Sequence, residues 1–196
     1  MEFYMKYGSI VIREYKKTDL DPVHRMLSSP QVYETTCAIP YKCSRIYARL
    51  WIDNVKKALK RRSDLEYGIF DSTSGEYIGN IGLIGISYVN KSADLTYIIT
   101  PEFQRRGYAV KAAKLIIAYG FERLGLIRIH AKCMDFNLPS RRVMEKCGFS
   151  YEGVGRNEML KNEKTYNLTH FSLLKHEYTS LKGSVFYPDV FLPVIK

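Results

Sequence analysis

Apolar and polar residues alternate along Ser9–Tyr15 (SIVIREY), the period of a half-buried strand. After Thr18 the period lengthens, and Val23, Met26 and Leu27 fall on one face. Thr18 stands at an N-cap position, with Asp19 and Asp21 in the first turn and Pro22 early, which predicts a short helix ending by Ser29-Pro30. Gln31–Cys43 has mixed polarity and no period, and reads as a loop. Ser44 caps a longer predicted helix reaching about Lys60, with Ile46, Leu50, Val55 and Leu59 near helical spacing and Trp51 on its border. Leu65–Asp71 and Glu76–Tyr88 then read as strands joined by Ser72-Thr73-Ser74-Gly75. Gly79, Gly82 and Gly85 in the second strand mark bulges or close approach of another backbone. After a turn at Asn90-Lys91-Ser92, Ala93–Thr100 completes a meander.

The order then changes. Gln104-Arg105-Arg106-Gly107-Tyr108-Ala109 opens a predicted helix from about Gly107 to Leu124, with Val110, Ala113, Leu115, Ile116, Ala118, Tyr119 and Phe121 forming a broad apolar face. Gly125 stops it. Ile127–Cys133 is a strand, Asn137–Cys147 a helix ended by Gly148, and Phe149–Arg156 and Lys164–Leu174 are the last strands. Without a repeat, linker or low-complexity segment, residues 1–196 read as one α/β domain with about four helices. The extension 175–196 carries Val185, Phe186, Val190, Phe191, Leu192, Val194 and Ile195, too apolar for a free tail. It is expected to pack on its own domain or on a second subunit, as in a homodimer.

Composition narrows the picture. The 26% charged and 46% hydrophobic residues are the balance of a globular protein. No apolar run approaches the ~20 residues needed to span a bilayer, and no secretory signal is evident at the N-terminus. Four cysteines without a CxxC pair and four scattered histidines argue against a zinc site, and reduced thiols in a cytoplasm are expected. The net charge of +10 suits nucleic acid, an anionic cofactor or an acidic partner. No RNP, zinc-finger or helix-turn-helix pattern accompanies it, so nucleic acid is disfavoured. The run Lys56–Arg62 sits where cations favour a helix C-terminus anyway.

The turn at Gln104–Ala109 is the chemical signal. A basic, glycine-bearing turn at a helix start gathers backbone N–H groups where partial positive charge accumulates, and phosphate oxygens bind there. The amides of Arg106, Gly107, Tyr108, Ala109 and Val110 are the expected pyrophosphate ligands, with Arg105 and Arg106 adding charge. A P-loop is excluded because no GK[ST] follows, and a dinucleotide turn because GxGxxG is absent.

The order of elements, Q-x-x-G-x-A after the fourth strand, Asn137-Leu138-Pro139-Ser140, then Glu145-Lys146-Cys147-Gly148-Phe149 and Glu152-Gly153 together resemble the GCN5-related N-acetyltransferases (GNAT), specifically the RimJ/RimL branch. The resemblance covers roughly Gly8 to Leu174. It implies a mixed, mostly antiparallel sheet with a splayed central parallel pair, and acetyl-CoA as cosubstrate. Ile98 and Ile99 are then expected to contact the pantetheine arm by main chain, with the thioester between Tyr97–Ile99 and Arg128–Ala131 and the N–H near Ile99 as oxyanion donor. Ser140 matches the family serine that faces the thiol and Asn137 the asparagine that contacts the cofactor arm, although both also suit helix capping. The family's proposed base, a glutamate, falls on Met159. Its neighbour Glu158 faces the other side of a regular strand unless a bulge turns it. Asn167 stands where relatives often have aspartate. Glu34 and Glu66 are further carboxylates near the expected cleft, read first as surface groups, and Tyr33, Tyr41 and Tyr88 are read as packing.

The implied activity is acetyl transfer from acetyl-CoA to a primary amine, a protein N-terminus or a small molecule, by direct attack on the thioester. An α-amine titrates near ~7.7 against ~10.4 for lysine, which favours it where no strong base is apparent. The alternatives are an acyl-CoA-binding module without turnover and, on charge alone, a nucleic-acid-associated protein.

Overall fold

A computed structural model describes residues 3–183 of the chain. Its eight strands are β1 (Tyr4–Tyr7), β2 (Ile10–Arg13), β3 (Leu65–Asp71), β4 (Tyr77–Ser87), β5 (Ser92–Ile99), β6 (Arg128–Met134), β7 (Ser150–Lys161) and β8 (Lys164–Leu174). They form one sheet in the order β1-β2-β3-β4-β5-β6-β8-β7, antiparallel everywhere except between β5 and β6. Six α-helices accompany it: α1 (Leu20–Leu27), α2 (Pro30–Thr35), α3 (Arg45–Arg61), α4 (Tyr108–Glu122), α5 (Leu138–Lys146) and α6 (Lys175–Gly183).

The sheet has a core on each face. α4 is buried nearly all round, from Ala112 through Phe121 apart from Lys114, and packs with Ile69, Ile81, Leu95 and Ile129. The other face carries α1 and α3, whose Val23, Met26, Leu27, Ile52 and Val55 meet Tyr15, Phe70 and Tyr77. This division leaves β6, β8 and β7 without helical cover from α1 and α3, so polar side chains on that side of these strands look into open space.

The meander and the α4–β6–α5 succession fall where periodicity places them. Elsewhere the structure differs, for local reasons. Thr18 does not cap α1; Asp19, 5% exposed, accepts from the Lys16 N–H at 2.6 Å and pairs with Arg13 at 2.7 Å, binding the end of β2 to the start of α1. The segment Gln31–Cys43 begins inside a short helix, α2, started by Pro30. Ser44 does cap α3, accepting from the Tyr47 N–H at 3.1 Å, and Arg62 ends the helix in the left-handed region at φ 57°. The buried face of α3 is Ala48, Ile52 and Val55, however, while Ile46 and Leu50 are 74% and 56% exposed. β1 pairs with β2 from Tyr4↔Arg13 to Tyr7↔Ile10, an edge strand that the alternation beginning at Ser9 does not announce.

The described part of the extension, residues 175–183, forms α6, which contacts α4. Tyr178 stacks on Phe121 with ring centroids 4.9 Å apart and its hydroxyl donates to Glu122, which Lys182 also reaches at 2.6 Å. The apolar cluster from Val185 to Ile195 lies outside the described residues.

Gly79 holds β4 against β5 at the register pair Gly79↔Ile99. A Cβ there would overlap the Ile98 carbonyl oxygen and come within 3.0 Å of the Ile99 Cα, with no flexible group to yield. Gly79→Ala is therefore expected to destabilise the fold by about 2–3 kcal/mol, as overpacking typically does. Urea denaturation of the two proteins checks it; an unchanged midpoint would mean that the strands adjust freely.

Candidate active site

β5 and β6 pair at only three positions, Ser92↔Arg128, Ala93↔Ile129 and Asp94↔His130, and then part. The Thr100 N–H donates to Ile78 O at 2.9 Å, and this sets the direction of every peptide group on β5. In an antiparallel ladder bonded and non-bonded positions alternate, so the N–H and C=O of Ile98 and Thr96 point to β4. Those of Leu95, Tyr97 and Ile99 point into the gap. The Ile99 main chain thus faces the gap, whereas that of Ile98 faces β4 and its side chain packs under α1 and α3. The gap also begins at Ala131, because Arg128, Ile129 and His130 are still paired with β5.

At the open end of the gap lies the basic turn. Gln104 fastens it, donating from Nε2 to the Ile99 carbonyl at 3.0 Å and accepting from Gln31 Nε2 at 2.9 Å. Arg105 (φ 62°) and Gly107 (φ 79°) are both left-handed, so the chain doubles back into α4 and presents the first amides of the helix outward. Lys111 N–H already bonds Gly107 O, leaving Tyr108, Ala109 and Val110 at the free helix start. A Cβ on Gly107 would meet nothing within 4 Å, so the front of this cradle is open. Arg106 lies against the Phe103 ring at 5.3 Å from its centroid, and both arginines are exposed.

α5 closes the gap from the α4 side. Asn137 Oδ1 accepts from the Ser140 N–H at 3.2 Å, so Asn137 acts here as the helix cap. The Ser140 hydroxyl lies 2.7 Å from the hydroxyl of Tyr97, which donates to Ser140 O at 3.1 Å. Burial holds the Tyr97 hydroxyl far above its ordinary range, and it remains a proton-bearing group at any working pH. Cys133, on β6, is also raised by burial and stays a thiol beside Asn137.

The opposite side of the same gap opens onto a cavity of about 320 Å³ lined by Gly85, Ser92, Ala93, Asp94, His130, Ala131, Lys132 and His170. Desolvation, then the neighbouring Arg128, lower the His130 pKa, so its ring is neutral at pH 7. Glu152 is taken: Arg128 reaches both its oxygens at 2.6 and 2.5 Å and Ser172 donates at 2.8 Å, holding the carboxylate in its charged form. Glu158 lies in a bulge of β7, where Gly155 faces Leu168 and Met159 faces Tyr166, so residues 156–158 stand opposite Asn167 alone. Asn167 fixes the bulge by accepting from the Asn157 N–H at 2.9 Å and donating to Asp135 at 3.1 Å. The bulge delivers the Glu158 carboxylate to His170 Nε2, with Lys132 3.8 Å away.

Of the other carboxylates, Glu34 is exposed on α2; Tyr88, read as packing, is exposed too and donates to Arg62 O at 2.9 Å. Glu66 is no surface group. It is half-buried on β3, takes a hydrogen bond from Asn80, and desolvation raises its pKa to about 7 despite that bond. His130, His170 and Tyr97 are the residues that sequence reasoning missed. Alternation along β8 carries the signal for His170: Phe171 and Leu173 face the α4 core, so His170 and Ser172 face the other side.

The chain matches the acetyltransferase (GNAT) domain family over residues 9–150. It belongs to that family. Among its relatives is the spermidine N(1)-acetyltransferase of Escherichia coli K12, 28% identical over 170 residues, 87% of this chain and 88% of the relative. The putative ribosomal N-acetyltransferase YdaF of Bacillus subtilis is 35% identical over 108 residues, 55% of this chain and 59% of its own. The spermidine N-acetyltransferase of Vibrio cholerae, solved with CoA and spermine, shares the fold at a TM-score of 0.77 and 23% identity, covering 88% of this chain and 99% of that one. The GNAT fold is thus established, parallel splayed pair included. No helix among the described residues is long and apolar enough to cross a membrane.

Glu66 makes the stability of this GNAT domain depend on pH. Its folded pKa of about 7 exceeds the ordinary 4.5, so between these values the folded protein holds a proton that the unfolded chain has released. The stabilisation is complete below about 4.5 and disappears as pH rises through about 7. Glu66→Gln should flatten this part of the curve, read from denaturant midpoints between pH 5 and 8. Parallel curves for the two proteins would place the Glu66 carboxyl in water.

Proposed function

We propose that the chain is an acetyl-CoA-dependent N-acetyltransferase whose acceptor is a primary amine, either a protein N-terminal α-amine or a small-molecule amine. The observation that carries this reading is the continuity of the splay with the basic turn. The Tyr97 main chain and the Ile99 N–H, which face the gap, lead directly to the open-fronted start of α4. Main-chain groups without a strand partner suit an amide-bearing pantetheine arm, which completes the edge as an added strand would. The amides of Gly107–Val110, with Arg105 and Arg106 near them, suit the pyrophosphate.

In this reading the thioester carbonyl sits in the gap beside the Tyr97 and Ile99 amides. One of them stabilises the oxyanion formed when the amine nitrogen attacks the carbonyl carbon. The tetrahedral intermediate then collapses with cleavage of the C–S bond. The Tyr97–Ser140 hydroxyl pair supplies the proton that the departing thiolate takes up, and regains one from the former amine nitrogen. The relatives' names support both a polyamine and a ribosomal protein as acceptor classes. A binding module without turnover is favoured only by Met159 at the family glutamate position, and Glu158 and Glu66 on the acceptor side weaken that argument.

Thiol release from acetyl-CoA with a panel of peptides and amines tests the activity; tight CoA binding with no release for any acceptor would favour the binding module. Placement of the pyrophosphate has its own test. Gly107→Glu puts a carboxylate at the front of the cradle and should weaken CoA binding at least ~100-fold in calorimetry, from charge repulsion and lost access. Near-normal affinity would place the pyrophosphate elsewhere. Tyr97→Phe should leave CoA affinity within about threefold and lower kcat about tenfold or more, as loss of a proton donor does.

A further inference from the structure

Beyond the transfer chemistry lies the question of what removes the proton from the acceptor ammonium. Four observations converge on one residue. His170 lies on β8 directly across from Lys132 of β6, and both side chains line the cavity that opens on the acceptor side of the gap. Its Nε2 is held by Glu158 Oε2, and Glu158 reaches it only because β7 bulges between Gly155 and Met159. Gly155 keeps that contact possible: a Cβ there would overlap the Glu158 carboxylate and lie 3.1 Å from His170 Nε2. Finally, Asn167 stitches the bulge through two hydrogen bonds, so the approach of Glu158 is built rather than incidental.

On the transferase reading above, we propose that His170 is the general base for the acceptor amine and that Glu158 is its positioning residue. The imidazole takes one proton from the ammonium, giving a neutral amine and an imidazolium beside the Glu158 carboxylate. The amine nitrogen then bonds to the thioester carbon, and the imidazolium returns its proton to solvent. A carboxylate at one ring nitrogen fixes the ring's orientation and leaves the other nitrogen free to take a proton, the arrangement a histidine base needs. The role expected of Glu158 from the sequence thereby moves one residue outward, to the histidine it holds. The titratable and charged groups around His170 are Glu158 from β7, Lys132 and His130 from β6, Asp94 from β5, and the Cys37 thiol, close enough to sense Lys132 and Glu158.

The test uses the full chain with an acceptor that wild type turns over. His170→Gln should lower kcat/KM for the acceptor by about 10²–10³ at pH 7, leave CoA affinity unchanged, and abolish the acid limb of the pH–rate profile. Glu158→Gln should leave CoA affinity unchanged and lower kcat about tenfold, because the ring loses the carboxylate that orients it. Gly155→Ala, which displaces the carboxylate while leaving both ionisable groups in the chain, should reproduce the Glu158→Gln loss. Unchanged kinetics and pH profile in His170→Gln would overturn the assignment, as would loss of the acid limb in Glu66→Gln instead. A wild-type protein that acetylates nothing would fail at the transferase reading itself, a result distinct from active wild type and an equally active His170→Gln.

Discussion

The structure depends on where β5 and β6 stop pairing. Peptide groups deprived of partners inside a protein cost free energy unless something else bonds them, and a row of them along an interior strand is a site waiting for a strand-like ligand. Here the pairing ends after Asp94↔His130, and Thr100's bond to Ile78 makes Tyr97 and Ile99 the residues whose groups are left over. Gln104 satisfies one of these groups, the Ile99 carbonyl. That same side chain fixes the turn that starts α4, so the gap and the anion cradle share a single fastening. Gly79 works from the other side, letting β4 approach β5 closely enough to hold the divergent strand in place.

The two faces of the gap do different work because the two faces of the sheet are covered differently. On the α4 side, α5 lays its first turn across the opening, and Tyr97 and Ser140 meet there as paired hydroxyls in a nearly dry setting. Beside them Cys133 and Cys147 are held as thiols by burial, Cys147 pushed up to about 12, so no reactive thiolate stands beside the Tyr97–Ser140 pair. On the other side the helices α1 and α3 reach only as far as β3–β5, and β6, β8 and β7 present His130, Lys132, His170, Glu152 and Glu158. Most of the charge there is already matched: Glu152 by Arg128, Glu158 by His170 and Lys132. The surplus of basic residues is thus not concentrated on this face. It lies in places such as the last turn of α3, with Lys60 and Arg61, and the cradle with Arg105 and Arg106.

Much of this was legible in the sequence, and the limits have physical causes. Period alone locates β3–β5, α4, β6 and α5, because each buries a continuous face and a shift of one residue would expose it. The cradle is legible because its chemistry is backbone chemistry, and backbone geometry of that kind leaves glycine at a fixed place, Gly107. Errors fall where side chains serve more than one neighbour. Ile46 and Leu50 keep helical spacing yet face solvent, since α3 needs only the narrow stripe Ala48, Ile52 and Val55 against the sheet. Residue type also says nothing about which side of a strand a peptide group faces: that Ile98 faces β4 follows from the Thr100 bond to Ile78. Glu66 reads as an ordinary half-exposed strand residue until its neighbours on adjacent strands remove its water.

The side of β7 and β8 away from α4 is obscure in sequence because it is built on a departure from regularity. A count made along an unbroken strand puts Met159 in the family glutamate's place and turns Glu158 away, and both conclusions assume that β7 and β8 pair one to one. They do not: three residues of β7 stand against Asn167 alone. That asparagine supplies the reason, since its amide offers an acceptor to the Asn157 N–H and a donor to Asp135, bonds that a strand-facing side chain would not make. Asn157 accommodates the bend at φ 51°, in a region that asparagine tolerates better than most residues. Past the bulge, β7 continues to a hairpin tip whose Lys161 donates to the carbonyls of Tyr33 and Thr36, tying the β7–β8 hairpin to α2. The least regular parts of the chain are therefore bonded to one another, and the same irregularity that hides this region from a periodic reading gives it a defined shape.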